Sequence, residues 1–153
     1  MNLIPRSTLV PASLTEDQDP GCFLRVVFPD LPEDATTAVV NLPQYKAILV
    51  YEDKGEVPPV AGLISALGKL EDHNRIVACL KDGVLHLAVA EDGTLLLANA
   101  YPAPDFTTAE YYIFLAMKSL QLNPEQSVIR FASPLDEDQE ISLGRYFKAV
   151  EEI

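Results

Sequence analysis

The residues able to carry chemistry are few and scattered. The 153-residue chain has two histidines, His73 and His86, and two cysteines, Cys22 and Cys79. His73 falls in a loop and His86 on a strand. A lone strand histidine is more often structural than a base, and two histidines are too few for a His-based metal site. There is no Cys-x-x-Cys, no His-Glu-x-x-His and no Gly-x-Ser-x-Gly, so the usual signatures of thiol redox, zinc protease and serine hydrolase chemistry are missing. Cys79 lies inside the apolar run RIVACL and reads as a small buried residue. The densest acidic run, DEDQE at Asp136 to Glu140, reads as a solvated loop. The competing reading is a carboxylate cluster for a metal, but neither ligand periodicity nor an EF-hand glycine supports it.

The bulk numbers narrow the field further. The length fits one domain with a real core, and the 48% hydrophobic content marks a globular chain. The net charge of -12 repels phosphate backbones and anionic lipid surfaces, so nucleic acid is not an expected partner. No apolar run reaches the ~18 residues of a membrane span, and the N-terminus lacks the apolar core of a signal peptide. Two cysteines without framework spacing make a reducing cytoplasm the expected compartment. No repeat or low-complexity segment is present.

These residues must be positioned by elements that the pattern makes readable, above all after residue 74. RIVACL (75–80), VLHLAVA (84–90) and TLLLANAY (94–101) are apolar runs separated by Asp82-Gly83 and Asp92-Gly93. Asp-Gly between such runs marks a hairpin, because the turn needs positive φ. The spacing predicts a three-stranded antiparallel meander, apolar on both faces of its middle strand and hence covered on both sides. Thr107 and Glu110 form a capping-box pattern that starts a helix over about 108–121, ended by Asn123-Pro124. SVIRFA (127–132) is a strand able to pair parallel through a right-handed crossover. In SLGRYFKAVEEI, residues Leu143, Tyr146, Phe147 and Val150 lie at helical spacing, so a last helix is expected with Ser142 as its N-cap. The order of the core, 75–153, is β-β-β-α-β-α.

Residues 1–74 read as an incomplete N-terminal part packing on that core. TLVPASL is extended. Residues 20–28 fit a short helix, although FLRVVF alone could be a strand. Residues 36–42 and 45–52 are strands joined at Pro43-Gln44. A helix with proline in its first turn spans 57–70, with Val60, Leu63, Ile64 and Leu67 as its buried stripe.

That order is the ribonuclease-H-like one, which is also the repeated unit of actin-like ATPases. Two segments, STLVPASL at 7–14 and the stretch 95–133, resemble the bacterial family called domain of unknown function 3822. Its members carry a TLVP motif, then an Asn-aromatic turn, an acidic turn and an aromatic-rich helix. Asn99, Tyr101, Asp105, Tyr111, Tyr112 and Leu115 are the matching positions. The resemblance implies an α/β actin-like fold with a mixed sheet, without an established activity. A typical member has a further subdomain before the TLVP segment, so the chain is expected to be a fragment or a shortened member.

The resemblance places a nucleotide site at the Lys81 to His86 turn and after the fourth strand. Asp82, Gly83 and Ser133 are the candidate contacts, with ATP and Mg as the cofactor on that reading. The next glycine and the hydroxyl residue of a phosphate turn are missing, and Ser133-Pro134 stands where glycine is usual. Asp82-Gly83 thus reads first as a plain hairpin turn, and ATPase activity is not expected. A two-metal nuclease is excluded, since RIVACL and SVIRFA carry no acid and capping explains Glu110. On a helical wheel Ile113, Ala116, Met117 and Leu120 face the sheet, while Phe114 falls among Glu110, Lys118 and Gln121. An exposed Phe114 with Lys118 would be a partner contact; otherwise another element covers the ring. The expectation is a non-catalytic interaction or scaffold module, whose partner is another protein, a missing lobe or a second copy as a homodimer. The alternatives are a nucleotide-binding protein whose second lobe comes from elsewhere, and a structural fragment.

Overall fold

The computed structural model describes residues 6–153. In chain order the elements are β1 (Ser7–Pro11), α1 (Gly21–Val27), β2 (Thr37–Leu42), β3 (Ala47–Glu52), α2 (Pro59–Leu67), β4 (Asn74–Lys81), β5 (Val84–Glu91), β6 (Thr94–Pro102), α3 (Phe106–Ser119), β7 (Val128–Phe131), α4 (Glu137–Gly144) and β8 (Ala149–Glu152). They build two sheets, a three-stranded one in the order β1-β3-β2 and a five-stranded one in the order β6-β5-β4-β7-β8. The small sheet is antiparallel throughout. In the large sheet β4, β5 and β6 form the expected antiparallel meander, while β7 and β8 add in parallel beyond β4. This is the ribonuclease-H-like arrangement.

The first hairpin follows from its turn residues. Asp82 and Gly83 both have positive φ, 52° and 74°, as a two-residue type I′ turn demands. The alternation of β5 then sends Leu85, Leu87 and Val89 to one face, and Ala88 and Ala90 to the other. Both faces are covered. On the first, α3 and α4 close a core with Ile76, Ile113, Met117, Phe131 and Leu143. On the second, α2 lies between the sheets, with Leu63, Ile64 and Leu67 meeting Val77 and Ala88 below and Leu42 and Leu49 above. Helix α1 covers the far face of the small sheet, where Leu24 packs with Val10, Ile48 and Val50.

The C-terminal expectation is corrected. The acidic run is not a loop but the first turns of α4. Asp136 accepts from the Gln139 amide at 2.9 Å, and Gln139 Oε1 accepts from the Asp136 amide at 3.0 Å. That capping box, with three acids in the first turn against the helix dipole, stabilises a short helix at its amino end. The residues read as a last helix split into the end of α4, a turn and strand β8, which pairs with β7 from Val128↔Ala149 to Phe131↔Glu152. Leu143, Phe147 and Val150 all point inward, but from a helix, a turn and a strand in succession.

Candidate functional site

The edge strands of the two sheets, β1 and β6, face each other along a seam. Near one end is a cleft of about 410 Å³, lined by Ser7, Thr8 and Leu9 of β1, Ala98, Asn99 and Ala100 of β6, His86 of β5, and Phe28, Leu49 and Val60 around them. Near the other end a more open depression of about 390 Å³ lies between Leu9 to Pro11 and Gly93 to Leu95. On the β6 side the cleft is walled by small side chains, Ala98 and Ala100.

His86 is the polar group at the base of the cleft. It is only 4% exposed, and no hydrogen bond or ion pair among the described residues engages its ring. Burial, together with nearby Lys81, holds its imidazole below the ordinary histidine value, so the ring is neutral at pH 7. Cys79 stands directly opposite His86 across the β4–β5 ladder. Burial pushes the Cys79 thiol up, against the smaller opposing effects of a hydrogen bond to Ser133 and of Lys81. A thiol above its usual pKa is not an activated nucleophile, so the opposed pair is a neutral thiol beside a neutral imidazole.

The residues proposed for a nucleotide gather at the neighbouring end of the large sheet. Asp82 and Gly83 form the exposed β4–β5 turn, and Ser133 follows β7, its Oγ accepting from the Leu80 amide at 3.0 Å. That hydroxyl continues the β4–β7 contact where Ala132 N donates to Ala78 O at 2.8 Å. Among the described residues no group of three or more His, Cys, Asp or Glu side chains is placed to hold a metal ion, and no helix is long and apolar enough to cross a membrane.

The aromatic helix α3 is held differently from the wheel analysis. Its N-cap is Asp105 rather than Thr107, with the Thr108 amide donating to Asp105 Oδ1 at 2.7 Å. Hydrogen bonds from the Thr108 backbone and side chain hold the Asp105 carboxyl below the usual range. Glu110, freed from capping, accepts from Ser142 Oγ at 2.9 and 3.0 Å and ties α3 to α4. Phe114 is not exposed. Its ring packs edge-on to Tyr146 at 4.9 Å and stacks near Phe147 at 5.7 Å, so the turn after α4 covers it. Lys118, one turn further on, is exposed. On the other flank Tyr112 stacks on Tyr101 at 4.6 Å and Tyr111 stands edge-on to Tyr112.

Sequence reasoning named Asp82, Gly83, Ser133, Phe114 and Lys118, and it did not find the cleft. Thr8, His86 and Asn99 are far apart in the chain and meet only through the register of two sheets. A signal was present in retrospect. Two segments carried the family resemblance, and the cleft draws Thr8 and Leu9 from the first and Asn99 from the second.

The comparisons agree with this architecture. A crystal structure from Bacteroides thetaiotaomicron, of a protein with actin-like ATPase fold and unknown function, superposes with a TM-score of 0.74 at 17% identity. The superposition covers 97% of this chain and 65% of that one, so the chain spans just under two thirds of that protein's length. At that identity the likeness shows the fold. No curated protein matches the sequence. The family described as Protein of unknown function (DUF3822) matches residues 56–150, from ahead of α2 into β8, and the chain belongs to that family.

Proposed function

We propose that the chain is a non-catalytic interaction module that associates with a second copy of itself through the outer face of α3 and α4. The observation that carries this reading is an apolar surface on that helical layer. Tyr111 is 61% exposed and Tyr146 52%, with Leu115 and Ile141 exposed as well. Tyr146, lying over Phe114, supplies the exposed aromatic ring that an uncovered Phe114 would have supplied. Charge divides along the layer. The contacts Glu110 to Ser142 and Phe114 to Tyr146 show that the α4 segment runs the same way as α3. Asp136, Glu137, Asp138 and Glu140 therefore lie toward the start of α3, and Arg145 toward Lys118 at its end. A face acidic at one end, basic at the other and apolar between is self-complementary under a two-fold axis.

Sedimentation equilibrium tests this. A concentration-dependent dimer is expected, weakened by Leu115→Asp and by Lys118→Glu and loosened by salt. A monomer at high concentration for all three proteins would refute it.

A second reading rests on a different observation: Asp82, Gly83 and Ser133 share one end of the large sheet. On that reading the chain binds ATP with Mg, using a second lobe from a longer chain or another subunit. Calorimetry with Mg-ATP distinguishes the two, since micromolar binding by this chain would displace the interaction-only reading.

A further inference from the structure

We propose that the cleft over His86 is a binding site for a small molecule that joins an apolar body to a carboxylate. The lining argues for both halves. Leu9, Phe28, Leu49, Val60 and the alanines of β6 supply an apolar wall, which favours a body of a few carbons or one ring in a space of about 410 Å³. The polar groups are donors. Ser7 and Thr8 carry hydroxyls, and His86 in its neutral form has one N–H to give. Asn99 lies opposite Leu87, on the other face of the sheet, where its Oδ1 accepts from the Ala100 amide at 2.9 Å, so its side chain is not one of the donors. Among the described residues no lining residue is acidic, although the chain as a whole carries a net charge of -12.

Other ligand classes fit less well. An amine would find no carboxylate in the lining. A plain hydrocarbon would dry the cleft and leave the buried imidazole without a partner, and buried polar groups are rarely left so. A carboxylate accepts from His86 and from a hydroxyl, and it lies near the Lys81 charge. The titratable groups on the face around His86 are Lys81 and Cys79 of β4, while the lining from β1, β3, β6, α1 and α2 adds none. Among the described residues no anion stands beside the ring, so a bound carboxylate would be the first there. It favours the imidazolium, so binding tightens as pH falls through the His86 range.

The test uses the full chain with labelled histidine, followed by NMR. Phenylacetate is the probe, phenylacetamide its uncharged isostere and acetate the headgroup without a body. With phenylacetate the His86 signal should move saturably, and its titration midpoint should rise by about one unit, equivalent to about tenfold tighter binding to the charged ring. His73, exposed at the start of β4, is the internal control and should not respond. Phenylacetamide should leave the midpoint in place, and acetate should bind at least about tenfold more weakly than phenylacetate. His86→Gln should weaken phenylacetate by about tenfold, and Ala98→Leu, which fills the cleft without threatening the fold, should abolish saturable binding. No saturable response at His86, an equal response to acetate and phenylacetate, or undiminished binding by Ala98→Leu would each overturn the site.

Discussion

The two faces of the five-stranded sheet are covered in opposite ways. Toward α3 and α4 the sheet offers Leu85, Leu87, Val89, Ile129 and Phe131, and aromatic residues close the layer from outside: Phe106 near Phe131, Tyr112 on Tyr101, and Tyr146 and Phe147 on Phe114. Toward the small sheet it offers Val77, Ala88, Ala90 and His86, with α2 filling the middle and a cleft left at the seam. Large side chains interlock and seal. Small ones admit a second layer closely and leave a gap where that layer ends. The difference teaches where to look for binding: on the α3–α4 side at its outer surface, and on the other side within the seam.

The largest expected effect breaks the sealed face. Phe131 is fully buried, and Phe131→Ala should cost about 3–5 kcal/mol, read as a lower urea midpoint with an unchanged slope. The contrast sharpens with one substitution made on both sides. Ala109 of α3 is fully buried on the sealed face, and Ala109→Leu should cost about 1–3 kcal/mol through overpacking. Ala98 borders the cleft, where a leucine has room, so Ala98→Leu should cost less than about 1 kcal/mol while closing the cleft to a ligand. Equal costs at the two positions would mean that the seam is packed as tightly as the sealed face.

The sealed face was also the more legible in the sequence. Asp82-Gly83 and Asp92-Gly93 announced the meander, the alternation of β5 predicted a sheet covered on both sides, and α3 followed from a start signal near Thr107 and the Asn123-Pro124 stop, although its cap is Asp105. The errors lay where local signals compete. Asp136 and Gln139 spell a capping box, but five polar residues in a row read first as solvated loop. Leu143, Phe147 and Val150 match a helical period although they belong to three kinds of structure. A four-residue strand with two glutamates, β8, carries little pattern of its own and is specified by its pairing with β7. The cleft was illegible for a deeper reason. It depends on how far one edge strand stands from another, and no residue type encodes that distance.

The α4 correction gives a smaller test. Asp136→Ala removes one half of the capping box and should cost about 1 kcal/mol. Ser142→Ala removes the hydroxyl that Glu110 accepts and should cost a similar amount, about 1 kcal/mol. Residues in separate contacts should add. Thermal unfolding of the double variant therefore asks whether α4 is held independently at its start and at its flank, and a sub-additive result would mean that losing the cap already frees Ser142 from Glu110.

The smallest effect lies on the seam side and concerns pH. The folded-state pKa of His86 is depressed, because burial penalises the imidazolium and Lys81 adds repulsion. The unfolded chain titrates at the ordinary histidine value of about 6.5, so between that value and the lower folded one the unfolded state binds more protons. Stability must then fall as pH drops through that window, with no contribution from this residue above it. His86→Gln should flatten the slope of stability against pH below about 6.5, as followed by denaturant unfolding. Exposed His73, whose Nδ1 lies 2.8 Å from Asp92 Oδ2, is the control, and His73→Gln should leave the downward slope in place. A wild-type profile flat across the window would mean that water reaches His86 freely through the cleft, and the seam would then be open rather than merely unfilled.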